Sequence, residues 1–240
     1  KHGDIVGENG ILVIPSVSNM SMDFGKRFWI SDDTDLNRLF PGNPSGESGS
    51  RVAYAIMETT KGYRYGIHLP SFYLGGTFMP HIRLLDPEHG STSLANLFGL
   101  PYVIEAKSRP FDRTTLHNNW QRNGTEAFSL YTGMTGKIDD ELAAQAVSSI
   151  LRFLTRMGII RYYSHSGYIA SVLKEGDLEP IMTEAAGIFI KKAECGQEVS
   201  RGDVLAQIMK ADSGEIISEV KAPTDGIIFY AETRPVVYSN

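Results

Sequence analysis

The sequence predicts an α/β fold, a largely parallel or mixed sheet flanked by helices, followed by a small all-β unit. Three observations predict it. Strand and helix signals alternate through the first 157 residues, the pattern of helices packed on a sheet. One long amphipathic run, from Asp139 to Met157, carries a clear helical period. After Gly158 the texture changes to short β-runs with turn residues at close intervals and no helical period, which divides the chain into residues 1–157 and 158–240. With 240 residues and 42% hydrophobic content, the chain can bury one substantial core and a small second one.

Taken in order, Ile11 to Ile14 is a short apolar β-branched run stopped by Pro15 and reads as a buried strand. Glu47 to Thr60 places Val52, Ala55, Ile56 and Thr59 at helical spacing. Tyr63 to Leu69, Pro101 to Ala106 and Glu126 to Tyr131 read as strands, each followed by Pro, Gly or a polar loop. Ser93 to Phe98 and Thr114 to Arg122 are shorter helical candidates. In the long helix Leu142, Ala146, Ile150, Phe153, Leu154 and Met157 form one stripe, with Asp139 or Asp140 as the N-cap and Gly158 as the stop. Beyond it, Gly187 to Lys191, Glu198 to Val199, Val204 to Met209, Glu215 to Val220 and Gly226 to Ala231 are strand candidates.

Charge and composition narrow the partners. A formal net charge of -5 and no Lys/Arg run longer than two residues leave no electrostatic footprint for nucleic acid. No window of about 18 apolar residues exists to span a membrane, and Lys1 to Gly10 lacks the apolar stretch of a signal peptide. Cys195 is the only cysteine, so there is no internal disulfide and no Cys-rich zinc site, which fits a cytoplasmic location.

The chemistry-bearing signal is Asp35-Leu36-Asn37-Arg38 followed by Phe40-Pro41-Gly42. Together with the strand read upstream at Ile11 to Pro15, this run resembles the signature of the succinylglutamate desuccinylase and aspartoacylase family of zinc-carboxypeptidase-like amide hydrolases. The resemblance implies a metal-dependent deacylase acting on a small acylated amino acid or peptide with an acidic end. A planar guanidinium offers paired donors to a carboxylate and an amide adds another, so Arg38 and Asn37, with Arg83 further on, are assigned to the acidic end of the substrate. The plainer alternative is a surface Arg–Asp pair beside a Pro-Gly turn. Self-association into a homo-oligomer is left open.

The family likeness also implies one zinc ion held by an early His-x-x-Glu pair and a later histidine, with water in the remaining position. Where relatives carry Asp-Leu-His, this chain reads Gly66-Ile67-His68, so His68 is the candidate ligand, although the aspartate is missing. His81 is a second candidate, whose alternative is a satisfied structural histidine. No histidine here is followed three places later by glutamate. Lys1 to Gly10 is therefore read as the end of a helix and its loop, and the ligand-bearing segment is expected to precede Lys1 in a trimmed chain. The glutamate that relatives use as general base is replaced by Tyr131, in Phe128-Ser129-Leu130-Tyr131-Thr132-Gly133. A phenol is a poor base at neutral pH but can donate to a carbonyl oxygen or an oxyanion. Glu126 falls on the opposite face of the same strand, and Glu105 reads as a solvated or paired side chain.

Residues 198–205 followed by Ala222-Pro223-Thr224-Asp225-Gly226 resemble the small barrel of biotinyl and lipoyl carrier domains. Carriers display a modifiable lysine at a hairpin tip, and Lys210 invites that reading. The apex, however, falls at Asp212-Ser213-Gly214, which contains no lysine. Three readings follow: a zinc-dependent deacylase, a catalytically degenerate binding module of the same fold, and a carrier or scaffold built on the barrel.

Overall fold

The computed structural model describes residues 4–72, 75–86, 92–134 and 137–239. Its centre is a mixed sheet whose strands lie in the order Tyr65–His68, Glu126–Met134, Thr77–Leu85, Tyr102–Ala106 and Ser171–Lys174. Tyr65–His68 runs parallel to Glu126–Met134, and the latter is antiparallel to Thr77–Leu85. Thr77–Leu85, Tyr102–Ala106 and Ser171–Lys174 are mutually parallel. The mixed α/β architecture is as the sequence predicts.

Alternation along these strands separates two jobs. Ile82, Leu84, Val103, Phe128 and Leu130 all face one way and are at most 1% exposed, packing with Phe98 and Phe153 into the main core. Phe153 comes from the helix Asp140–Arg156, whose stripe is the predicted one. Its ring stacks on Phe98 at 4.3 Å and meets Tyr65 edge-on at 5.5 Å. Asp139 caps the helix by accepting the Leu142 N–H at 3.1 Å, and Gly158 ends it at φ +69°.

The other face is covered at one end by the helices Ser48–Thr59 and Leu116–Arg122. There Ala53, Ile56, Met57, Leu116, Trp120 and Ala127 form a second cluster with Phe40. In the first of these helices the buried side is Gly49, Ala53, Ile56 and Met57, so Ala55 and Thr59 of the expected stripe face solvent. Thr59 instead donates its hydroxyl to the Ala55 carbonyl at 2.7 Å.

Three expectations are corrected, and one strand is added. Ile11 to Ile14 forms no strand and pairs with no strand among the described residues, and Val13 is 72% exposed. Asp4–Ile5 is a short strand pairing antiparallel with Ile160–Arg161, not a helix end. The central strand Thr77–Leu85 has no counterpart in the sequence reading. Pro80 interrupts it and lies where the register shifts between Phe78 and His81, a bulge that lets a proline sit inside a sheet. Ser171–Lys174, placed in the second domain from sequence, forms the edge of the large sheet, so the sheet does not end at residue 157.

Beyond the 3₁₀ turn Glu175–Asp177 the described elements are strands. Ile216–Lys221, Val204–Met209, Gly187–Lys191 and Val236–Val237 form an antiparallel sheet, and Gly226–Ile227 pairs with Glu198–Val199. Ala193, Leu205 and Ala222 make its small core. Tyr230–Ala231 leaves this unit to pair with Thr77 and Phe78 of the large sheet. Lys210 precedes the turn at Ala211–Ser213 and sits 3.3 Å from Asp212, so it occupies no hairpin tip.

Because Phe153 is fully enclosed by Phe98, Phe128 and Tyr65, Phe153→Ala is expected to cost about 3–5 kcal/mol. Urea denaturation followed by circular dichroism measures it. A loss under about 1 kcal/mol would show that the site collapses around the cavity.

Candidate functional site

On the sheet face away from the main core, register alone assembles a row of polar groups. His68 lies opposite Ser129, Ser129 opposite Arg83, and Tyr131 opposite His81. His68 ends its strand, where the chain turns into a Leu-Pro segment.

The Asp-Leu-Asn-Arg run gives each residue a different task. Leu36–Arg38 is a single 3₁₀ turn, capped by Asp35, whose carboxylate accepts the Asn37 N–H at 2.9 Å. Asp35 also lies 3.5 Å from Arg27. Leu36 packs on the second cluster. The Asn37 amide oxygen accepts the N–H of Leu116 at 3.0 Å, at the start of the following helix, so its NH₂ is what it can offer a ligand. Arg38 donates to the Phe111 carbonyl at 3.0 Å, lies over the Phe111 ring at 5.1 Å and is 4.0 Å from Asp112. The aromatic face and the backbone bond fix the plane of the guanidinium, which suits paired recognition of a carboxylate. Gly42 closes the motif at φ +83°, where a Cβ would stand 2.1 Å from the Tyr54 nitrogen.

These groups reach one another electrically. Burial raises the Tyr131 hydroxyl above its ordinary value, opposed by Arg83, Arg27 and Arg38 and aided by Asp112. The phenol is therefore neutral and a donor. His68 is pushed down to about 4 by burial, with the Asp35 carboxylate pulling the other way. Asp35 thus lies near enough to His68 for its charge to act on the ring. Arg83, in the row with Ser129, lies 3.5 Å from Glu175, which also accepts from Arg109 at 2.6 Å.

His81, expected as a second metal ligand, does not join His68 in a donor group. It is 4% exposed and lies flat against Tyr131 at 5.0 Å. Its Nδ1 is hydrogen-bonded to the Met79 carbonyl at 2.8 Å, and burial lowers it to about 4. Its strand position pairs it with Tyr131, two residues along from the His68–Ser129–Arg83 row. Among the described residues no three His, Cys, Asp or Glu side chains converge to hold a metal ion. His2 and His89 lie outside the described residues. The donors described here therefore do not fit a zinc held by three protein ligands. Glu105 accepts the Thr92 hydroxyl at 2.6 Å and sits opposite Leu84 on the core-facing side, away from Tyr131.

Sequence reading missed the helix Leu116–Arg122 as a site element. Its residues one turn apart, His117 and Trp120, face the sheet. His117 is 3% exposed, with Nδ1 hydrogen-bonded to the Ser129 hydroxyl at 2.8 Å, and its Nε2 is buried without a partner. Burial lowers it to about 3, helped by nearby His68 and then Arg83. Trp120 lies over Gly66: a Cβ there would be 2.4 Å from the indole ring. The indole N–H is held by the Thr60 hydroxyl at 2.9 Å. The absence of an aspartate at position 66 thus has a steric partner, a tryptophan occupying the space its side chain would need. The usable signal was the i, i+3 pair His117/Trp120 inside an otherwise polar helix.

No protein-family model and no curated protein sequence matches the chain. Solved structures do. The product-bound ectoine utilization protein EutE (DoeB) from Ruegeria pomeroyi superposes with a TM-score of 0.80 at 20% identity, over 95% of this chain and 71% of that one. The fold is that of the succinylglutamate desuccinylase/aspartoacylase proteins. One of these, a succinylglutamate desuccinylase/aspartoacylase from Rhodobacter sphaeroides, gives 0.76 at 20% identity over 94% of this chain and 71% of its own. A succinylglutamate desuccinylase from Silicibacter sp. TM1040 gives 0.80 at 19% identity, over 94% and 70%. The mixed sheet and the rim that carries His68 thus sit in a scaffold shared with these proteins.

Two outcomes follow from the site. Gly66→Asp drives a side chain into the Trp120 ring and buries a carboxylate, which is expected to cost about 3 kcal/mol or more in chemical denaturation. Pairing it with Trp120→Ala should cost less than the sum of the two single losses; simple additivity would mean the two positions do not compete for space. Secondly, three imidazoles are held uncharged, with folded values of about 4, 4 and 3 below their ordinary 6.5. The unfolded chain binds protons first, so the stabilisation is full above about 6.5 and falls as pH drops toward 4. The urea midpoint should decline over that window, and a flat profile between pH 7 and pH 4.5 would contradict the burial of these rings.

Proposed function

We propose that the chain belongs to the succinylglutamate desuccinylase/aspartoacylase family and is a deacylase, cleaving a linear amide of a small acylated amino acid or peptide with an acidic end. The observation that carries this reading is the polar row His68–Ser129–Arg83 with Tyr131 on one face of the sheet, where the charges of Arg83, Arg27 and Arg38 act on the Tyr131 hydroxyl. In this reading Arg38 and Arg83 hold the substrate carboxylate, the Asn37 NH₂ adds a donor, and the neutral Tyr131 hydroxyl donates to the amide carbonyl oxygen as charge builds on it. The shared scaffold supports the reaction class. Zinc is the cofactor that the resemblance brings. The described residues do not complete its donor set, and no step is assigned through it. Among the described residues no helix is long and apolar enough to cross a membrane, and a cytoplasmic location is part of the proposal. So is closure of the C-terminal strands into a biotinyl/lipoyl-like barrel that shapes the cleft.

A second reading, a binding module of the same fold, is favoured by two particular departures: Tyr131 stands where a carboxylate base is expected, and Trp120 fills the space above Gly66. Calorimetry and a primary-amine release assay with an N-acyl-aspartate and N-succinylglutamate separate the two. Binding with amine release supports the deacylase. Binding without release supports the module, and no binding of any acidic acyl amino acid ends both. Arg38→Ala is expected to weaken binding by about 2 kcal/mol, roughly 30-fold in Kd. An unchanged Kd would remove Arg38 from the site.

A further inference from the structure

Just past the ends of Thr77–Leu85 and Tyr102–Ala106 lies an open cavity of about 590 Å³, lined by Asp86, Ser108, Arg109, Arg113, Asn118 and Arg122. Asn118 and Arg122 are one turn apart, on a different side of the helix Leu116–Arg122 from His117 and Trp120. The cavity is thus separate from the row at Ser129. Three of its side chains are guanidinium groups. Among the described residues Arg113 and Arg122 form no ion pair, and Arg109 shares its partner: Glu175 lies 2.6 Å from it and 3.5 Å from Arg83. Three like charges around one concave opening add to a positive potential there. The other lining groups are fixed. Asn118, 8% exposed, donates its NH₂ to the Ser108 hydroxyl oxygen at 3.3 Å, and the Ser108 N–H is given to the Asp86 carboxylate at 2.9 Å. Because that oxygen accepts from Asn118, the Ser108 O–H is left to donate elsewhere. The Asn119 NH₂ donates to the Arg113 carbonyl at 2.9 Å, which ties the turn carrying Arg113 to the helix carrying Arg122.

We propose that this cavity binds a small phosphate-bearing anion, held by the guanidinium groups of Arg109, Arg113 and Arg122 with the Ser108 hydroxyl as a further donor. Guanidinium forks give paired, charge-assisted hydrogen bonds to phosphate oxygens, and three of them match a doubly or triply charged group better than a single carboxylate. The volume falls within the range of small-molecule sites and exceeds what one isolated oxyanion fills. A pyrophosphate or a phosphate ester suits it. In the ester, Asp86 is the acceptor for a hydroxyl. The chain's formal net charge of -5 repels an extended polyanion, which sets the ligand apart from nucleic acid. Glu175 is the competitor built into the fold. It holds Arg109 at 2.6 Å, so an arriving anion and the Glu175 carboxylate contend for the same guanidinium.

The site is independent of amide hydrolysis and is tested without substrate. Calorimetric titration of the full chain with sodium pyrophosphate at low ionic strength should show one anion per chain, bound more tightly than inorganic phosphate. Arg113→Gln and Arg122→Gln should each weaken it about tenfold or more. Arg122→Lys, which keeps the charge and loses the fork, should fall between wild type and Arg122→Gln. Glu175→Gln should tighten binding about two- to fivefold by releasing Arg109, a gain that damage to the fold would not produce. Arg38→Gln, at the separate site of the Asp35–Arg38 turn, should leave the affinity unchanged. In the wild-type chain, pyrophosphate should shift arginine side-chain ¹H–¹⁵N signals, a readout that does not depend on how the variants fold. No binding by the wild type, wild-type affinity in both Arg113→Gln and Arg122→Gln, weaker binding by Glu175→Gln, or loss of binding in Arg38→Gln would each overturn the site.

Discussion

Everything in this molecule that resembles a site depends on the register between Glu126–Met134 and its two neighbours. Because side chains alternate, one setting of that register sends Phe128, Leu130, Ile82 and Leu84 into the core and Ser129, Tyr131, His81 and Arg83 to the opposite face. A slip of one residue would exchange the two sets, turning the polar groups into the aromatic core and the aromatic ones out of it. The packing of Phe98, Phe128 and Phe153 holds the register and, through it, the rim. Stability and site geometry are here one constraint read from two sides of a sheet.

On the polar face the guanidinium groups are steadied rather than neutralised. Arg27 has Asp35, Arg83 and Arg109 share Glu175, and Arg38 leans on the Phe111 ring with Asp112 at 4.0 Å. Such partly exposed pairs add little stability. What they provide is orientation, since a guanidinium whose plane is fixed loses less freedom when a carboxylate arrives. The neighbouring imidazoles and the Tyr131 phenol stay uncharged for the opposite reason, their removal from water. Fixed cations beside neutral donors make a surface suited to an anionic ligand with a carbonyl group.

The helix Leu116–Arg122 links the two departures that separate this chain from the pattern it resembles. Asn37 holds the first residue of that helix, His117 reaches Ser129, and Trp120 covers Gly66. The exchange at position 66 is thus coupled to an aromatic ring 54 positions later in the chain. A sequence read one position at a time presents it only as a missing carboxylate.

Local signals were legible where a residue's role is settled by its near neighbours. The long helix with its Asp139 cap, the turn after Lys210 and the Asp35-capped turn Leu36–Arg38 belong to that class, because capping, turn chemistry and periodicity act within a few residues. Thr77–Leu85 was illegible because Pro80 contradicts strand propensity and only the bulge against Glu126–Met134 resolves the conflict. The apolar run at Ile11 to Ile14 failed the other way, since propensity alone cannot create a pairing partner. By itself the sequence determined the fold class and His68 as a strand-end imidazole. Only the tertiary structure decided that His81 stacks on Tyr131, that Ser171–Lys174 completes the large sheet and that His117 stands beside His68, because each depends on register between segments far apart in the chain, which no local pattern encodes.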